Sequence, residues 1–292
     1  MAVQSDYRYS LTVNGSTQFE VVSFVVTEHL SELFRAELEL ASFDDSPKFS
    51  DILDPPATLT FWQDNAAVRH LNGIVTGLKQ GESGFSRTRY SMVIEPALSR
   101  ADLQTDLRIF QQQDSQKIIE TLLSKNQVAK HQFHLKDRYW TREYCVQYRE
   151  TDLEFIKRLA AEEGTYYYFE HTNDGHTLHF SNSTELAELK GDLLYNAMPS
   201  GERPQAAVWR FAYEEKLKPT LQTLRDYTFT NPRYNQEHQS THNRANVLGE
   251  NRHGQYELYD YPGRYKRDAQ GKPFSQYRLE YEQREAEMAM AN

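Results

Sequence analysis

A two-residue hydrophobic rhythm runs through the first hundred residues and leaves little choice of fold. Tyr7, Tyr9, Leu11 and Val13 alternate with Arg8, Ser10 and Thr12. Phe34, Ala36, Leu38 and Leu40 alternate with Arg35, Glu37 and Glu39, and Thr88, Tyr90, Met92 and Ile94 share one side of a later run. Successive side chains of a strand point to opposite faces, so this pattern specifies strands with one buried and one wet face. Further strands are expected at residues 19–26, 58–62 and 68–78. Asn14-Gly15 suits a hairpin turn because both residues tolerate positive φ. Asp54-Pro55-Pro56 breaks the chain, and Asp64-Asn65 marks another turn. Several strands at short spacing with turn signals between them predict a barrel or sandwich.

The rhythm changes after Pro96. Residues 115–128 read as a helix, with Ile118, Ile119, Leu122 and Leu123 on one side and Asp114 or Ser115 as its cap. Tyr144 to Tyr148 alternates like a short strand. Thr151-Asp152-Leu153-Glu154 is a capping box, in which the Thr hydroxyl and the Glu carboxylate each satisfy a backbone N–H at a helix start. Leu153, Ile156, Leu159 and Ala160 form the apolar stripe of that helix, and Gly164 is placed to end it in the left-handed conformation. A hairpin follows, turning at Asn173-Asp174-Gly175. Strands resume after about residue 190, at 208–213, 221–229 and 255–260. The polar stretch between them, 231–254, reads as a long loop or small insertion. Residues 274–290 read as a helix begun by Pro273. The fold class is α+β and β-dominated, in the order β-rich, α+β, β-rich.

Composition acts mainly by exclusion. Aromatic residues reach 13%, with 19 Tyr and 15 Phe, which a disordered chain would not carry. Tyrosine has an apolar body and a polar tip, so the excess suits half-buried strands and subunit contacts. A net charge of -9 disfavours a nucleic-acid partner, which needs a basic patch. The single cysteine, Cys145, has no disulfide partner and lies in an alternating run, where it reads as a small buried residue. No apolar run is long enough for a membrane span, and the first residues lack a basic and then apolar leader.

Chemistry is equally sparse. No phosphate-binding glycine motif occurs. Gly81-Glu82-Ser83-Gly84 lacks the spacing of a nucleophile elbow and reads as a loop tip. His131 and His134 are spaced for adjacent helix turns, as are His238 and His242 with His253 nearby, yet no His-Glu-x-x-His is present. His171, His176 and His179 flank the hairpin turn, and all these histidines read as solvated. Glu162-Glu163 reads as the wet end of a helix. No catalytic residue, metal or cofactor is expected. A cell-wall hydrolase remains a reading of another class, though no pair of acids marks one.

Residues 142–159, which hold Arg142, Gln147, Tyr148, Asp152, Phe155 and Leu159, resemble the hallmark stretch of the VgrG family of type VI secretion spike proteins. Residues 162–171, with Glu163, Gly164 and Tyr167, continue the match. Arg108-Ile109-Phe110-Gln111 lies before it, and Tyr259-Asp260-Tyr261-Pro262-Gly263-Arg264-Tyr265 after it. The resemblance implies a fold like the hub of contractile phage tails, with two β-barrel-like domains and an α+β domain inserted after the first. The expected domains are 1–108, 109–190 and 191–292, the last with the polar insertion and the C-terminal helix. The motif residues, Tyr261, Pro262, Gly263 and Tyr265 among them, are expected to be structural. The resemblance also implies a homotrimer that caps the secretion tube and adapts its sixfold symmetry to a threefold spike. Its partners would be the haemolysin-coregulated tube protein and the baseplate and spike-tip proteins. Such a protein assembles in the cytoplasm without a signal peptide and is then expelled by the machine. The hub of a phage or phage-like tail is the alternative. The family's needle, with its repeated Val-Gly, has no counterpart in these 292 residues, which carry only 13 Gly, so the expectation is confined to the hub.

Overall fold

The alternating residues at the start form β1 (Tyr7–Val13), the first strand of a six-stranded antiparallel sheet. The computed structural model describes residues 7–63, 65–136, 138–183, 185, 192, 194–196, 207–242, 256–283 and 287–291. The other strands of the first sheet are β2 (Glu20–Thr27), β3 (Arg35–Ser42), β4 (Pro56–Gln63), β5 (Ala66–Ser83) and β6 (Thr88–Glu95). Their order is β1-β4-β5-β6-β3-β2. Of the residues the alternation named, Leu11, Val13, Ala36, Leu38, Leu40, Tyr90, Met92 and Ile94 are buried in one core, which Leu59 of β4 joins, whereas Tyr9 is 42% exposed. The sheet curls until its two edge strands meet. Tyr9 on β1 lies 4.8 Å from Phe24 on β2, and both rings pack edge-on against Phe61 on β4. The edges touch through rings and carry no ladder between them, so the sheet is a half-closed barrel.

Two sequence expectations change here. Asn14 and Gly15 do turn with φ of 48° and 78°, and Val13 and Ser16 exchange backbone hydrogen bonds of 2.8 Å. The flanking strands, however, do not form a hairpin, because β1 pairs with β4 and β2 with β3. A tight turn fixes a reversal, but the partners are chosen by the whole sheet. Gly81 to Ser83 is not a loop tip either, since β5 runs to Ser83 and the turn follows it.

A 3₁₀ segment, Ala97–Leu103, leads into β7 (Thr105–Gln113) and then α1 (Ser115–Lys125). Asp114 caps α1 by accepting from the Lys117 N–H at 2.9 Å. Ile118, Ile119, Leu122 and Leu123 are fully buried, as their spacing required. Then come β8 (His131–His134), β9 (Arg142–Thr151), α2 (Asp152–Glu162), β10 (Tyr166–Thr172) and β11 (Gly175–Ser181). β7 and β9 make an antiparallel ribbon. β10, β11 and β8 make a three-stranded sheet in which β8 runs parallel to β11. His131 and His134 therefore sit on a strand, where three residues apart means opposite faces rather than adjacent turns.

The last part contains β12 (Phe211–Glu215), β13 (Leu221–Asp226), β14 (Gln236–Thr241), β15 (Glu257–Asp260), α3 (Asp268–Gln283) and β16 (Glu287–Ala291). β14, β13 and β15 form one sheet, and β12 pairs with β16. The presence of β14 corrects the expected polar loop, of which residues 243–254 lie outside the described residues. Its inward residues are polar: the Gln236 amide donates to the Lys266 carbonyl at 2.9 Å, and the Ser240 and Ser275 hydroxyls meet at 2.7 Å. A strand with a polar inner face shows no hydrophobic alternation. The C-terminal helix also differs. It spans Asp268–Gln283 with Pro273 inside it, and Glu287–Ala291 pair as a strand instead of being helical.

Contacts divide the chain into two units. The first is Met1–Asp137, Arg142–Lys157 and Tyr166–Leu186; the second is Arg138–Thr141, Arg158–Thr165 and Ala187–Asn292.

Candidate functional site

The motif stretch begins on β9 and passes straight into α2, and its first half is organised around one buried carboxylate. The capping box forms as its spacing dictates. Thr151 N–H donates to the Glu154 carboxylate at 2.8 Å, and Glu154 N–H donates to the Thr151 hydroxyl at 3.0 Å. Asp152, the first helical residue, is fully buried. Its oxygens accept from the Gln147 amide at 2.8 Å, the Asn126 amide at 2.9 Å and the Lys125 ammonium at 2.9 Å. Its backbone N–H donates to the Gln104 carbonyl at 2.9 Å. Burial pushes the Asp152 carboxyl up, but the hydrogen bonds from Gln147, Asn126 and Lys125 outweigh it and hold its pKa below the usual value. One carboxylate thus ties together the end of α1, the ribbon and the start of α2. A buried charge with this many donors fixes geometry rather than reacting.

Other motif residues surround this knot. Arg142 donates from Nε to the Ser115 hydroxyl at 2.9 Å, at the first residue of α1. Phe155 is fully buried, its ring 5.8 Å from that of Phe110. Leu153, Ile156, Leu159 and Ala160 are all buried, and Cys145 is buried opposite Phe110 in the ribbon register. Tyr148 points the other way from Gln147 and is exposed, with the Arg149 guanidinium 5.2 Å from its ring centre. Tyr167 on β10 is buried against Phe180.

In the second unit the end of α2 meets the later motif. Gly164 has φ of 63°, and a Cβ there would lie 2.6 Å from the Tyr277 ring, so conformation and space both demand glycine. Glu162 is paired with Arg264 at 2.7 Å and Arg158 at 3.2 Å, and Glu163 is buried. This overturns the reading of Glu162-Glu163 as a wet helix end. The pairing arginine is 102 residues away, beyond any local pattern. Around it, the Tyr261-Pro262 peptide is cis, and Tyr261 and Pro262 are exposed. Gly263 N–H donates to the Arg225 carbonyl at 2.9 Å, and the Tyr265 ring fills the space a side chain on Gly263 would need. Tyr265 is buried, its hydroxyl 2.6 Å from the Gln236 carbonyl and 3.1 Å from that of Leu224. Burial, with Asp226 nearby, pushes its phenol up.

The chain matches the family described as phage tail baseplate hub (GPD) over residues 27–291. It belongs to that family. The hub chain is 40% identical over 289 residues to the type VI secretion system spike protein VgrG2a of Pseudomonas aeruginosa, covering 98% of this chain and 34% of that protein. It thus spans about a third of the length of that relative. Among solved structures, the E. coli c3393 protein is a type VI secretion component described as similar to T4 bacteriophage tail proteins gp27 and gp5. It matches with a TM-score of 0.58 and 24% identity, over 74% of this chain and 55% of that one. The 43 kDa tail protein of prophage MuSo2 from Shewanella oneidensis matches with a TM-score of 0.62 and 12% identity, over 97% and 81% of the two chains. The β-dominated tail-hub fold expected from the sequence is the fold of this hub.

The hub's hairpin histidines are not solvated, contrary to the sequence reading. His171 accepts the Asn72 N–H at 3.0 Å through Nδ1, and His176 packs against Phe34 and Phe169. Burial pushes both rings down to about 4. His179 lies under Tyr168, with its Nδ1 2.9 Å from His134 Nε2. No cluster of three or more metal-ligating side chains exists among the described residues. Sequence reasoning also missed Lys125, Asn126 and Gln104, the partners of Asp152; no local signal marks them.

Proposed function

We propose that this hub chain is the base of a type VI secretion spike, a structural part rather than an enzyme. Three copies would cap the secretion tube, converting its sixfold symmetry to the threefold symmetry of a spike. The tube partner is the haemolysin-coregulated protein, with baseplate and spike-tip proteins at the other contacts. The chain assembles in the cytoplasm and leaves with the spike. The proposed domains are 1–108, 109–190 and 191–292, and the motif residues Arg142 to Gly164, Tyr167 and Tyr261 to Tyr265 hold them in shape.

The observation that carries this reading is the half-closed first barrel. Its edge strands β1 and β2 meet through Tyr9 and Phe24 without a shared ladder. Open strand edges pair with other chains unless covered, and a closed ring of copies covers them with one repeated contact. The identity to VgrG2a over nearly the whole chain supports the secretion machine over a phage tail. No helix among the described residues is long and apolar enough to cross a membrane. Light scattering on the purified chain, followed by electron microscopy of its mixture with tube rings, tests the proposal. A three-copy particle seated on the ring end is expected. A monomer at every concentration that leaves the rings bare defeats it.

A further inference from the structure

The β14–β13–β15 sheet has a cleft at one end, and its lining differs from the polar knots described above. The register sets Asp226, the last residue of β13, opposite Gln236, the first of β14, and sets Leu224 beside Asp260, the last of β15. Three strand ends therefore meet, and the cleft there has a volume of about 710 Å³. Small-molecule sites span ~300–1,000 Å³. Four tyrosines line it: Tyr227 after β13, Tyr234 before β14, Tyr259 on β15 and Tyr261 after it. Tyr227, Tyr259 and Tyr261 keep more than half of their surface outside the core of the sheet. Two lining groups are held from behind. Asp226 accepts the Tyr227 N–H at 2.7 Å and the Tyr265 N–H at 3.1 Å, which uses about half of a carboxylate's roughly four acceptor positions. The Tyr234 hydroxyl is hydrogen-bonded to Asp268, the first residue of α3.

We propose that this cleft binds a neutral oligosaccharide. A sugar ring has a flat face of C–H groups that packs on an aromatic ring, and a rim of hydroxyls that each donate and accept. Tyrosine offers an apolar face and a polar tip to match. The remaining lining includes Arg225, Arg233, Asp226 and Glu237. Guanidinium groups only donate and ionised carboxylates only accept, so a ligand whose polar groups do both engages them all. Charge selects in the same direction. The two arginines balance the two acids, so neither an anion nor a cation meets a field of one sign. A proline-rich peptide would use the tyrosines, but each proline has one carbonyl and no N–H, which leaves Asp226 and Glu237 without donors. A single sugar ring fills only part of the volume, which points to a short chain of them. The inference goes beyond the hub reading and does not depend on the number of copies.

Saturation-transfer NMR on the full chain, with cellotetraose, maltotetraose and chitotetraose as probes and decaproline as the rival, tests this. At least one of the sugars should receive saturation, strongest at its ring C–H protons. Tyr227→Ala/Tyr259→Ala should weaken that binding about tenfold, with an unchanged melting temperature. Tyr227 lies outside any strand, so Tyr227→Ala alone should weaken binding in a folded chain even where the double variant unfolds. Silence from all three sugars overturns the proposal. So does undiminished binding by the Tyr227→Ala chain, or transfer to decaproline alone. Each of those results leaves the hub reading standing.

Discussion

Acidification from pH 7 to 5 should destabilise the first unit through two histidines, His171 and His176. Both are packed between β5, Phe34 and the β10–β11 hairpin, and burial lowers each from 6.5 to about 4. A base whose folded pKa is depressed binds protons more readily when unfolded. Its contribution is complete above about pH 6.5 and is lost as the pH falls towards 4. At pH 5 the unfolded ring is mostly protonated and the folded ring is not, which costs about 2 kcal/mol per ring. The rings lie 5.9 Å apart and oppose each other's protonation, so the pair costs at most about 4 kcal/mol, against a typical total of about 5–15. Urea denaturation of the full chain at pH 7.5, 6 and 5, read by tryptophan fluorescence, measures the loss. The control is His171→Asn/His176→Phe, which keeps an aromatic ring beside Phe34 and removes both titrating groups. Its midpoint should change much less over the same window. If the wild-type midpoint is flat between pH 7 and 5, or the double variant shows the same slope, burial does not hold these rings neutral and the argument is wrong.

Three further outcomes follow from the motif geometry. Asp152→Ala leaves Lys125, Asn126 and Gln147 facing an empty site and should cost about 3–5 kcal/mol in denaturant unfolding; a loss under 1 kcal/mol would mean the network is relaxed in solution. Gly164→Ala combines a positive φ with a clash against Tyr277 and should cost about 1–3 kcal/mol. A melting temperature equal to wild type would contradict that. Tyr265→Phe removes the hydroxyl between the Leu224 and Gln236 carbonyls and should cost about 1–3 kcal/mol. Hydrogen exchange should quicken at β13 and β14, and unchanged protection there would speak against the anchor.

Local periodicity was enough for whatever one strand or helix settles alone. The alternation at Phe34 to Leu40 and Thr88 to Ile94 named the buried face correctly, because a strand's faces differ by one residue. The stripe of α1 and the capping box of α2 were equally legible, since all their partners lie within four residues. The sequence by itself therefore determined the strands of the first sheet, both middle helices and the stop at Gly164. Only the tertiary structure decided the partners: β1 with β4 rather than β2, Asp152 with Lys125 and Asn126, Glu162 with Arg264, and the hairpin histidines with β5 and Phe34. It also decided that Gln236 to Thr241 is a strand, because Gln236, His238 and Ser240 on its inward side are polar and leave no hydrophobic alternation to read. Local patterns record what a residue does to its own backbone and neighbours; long-range pairing of polar and charged groups leaves no period to read, since any residue that reaches can supply the partner.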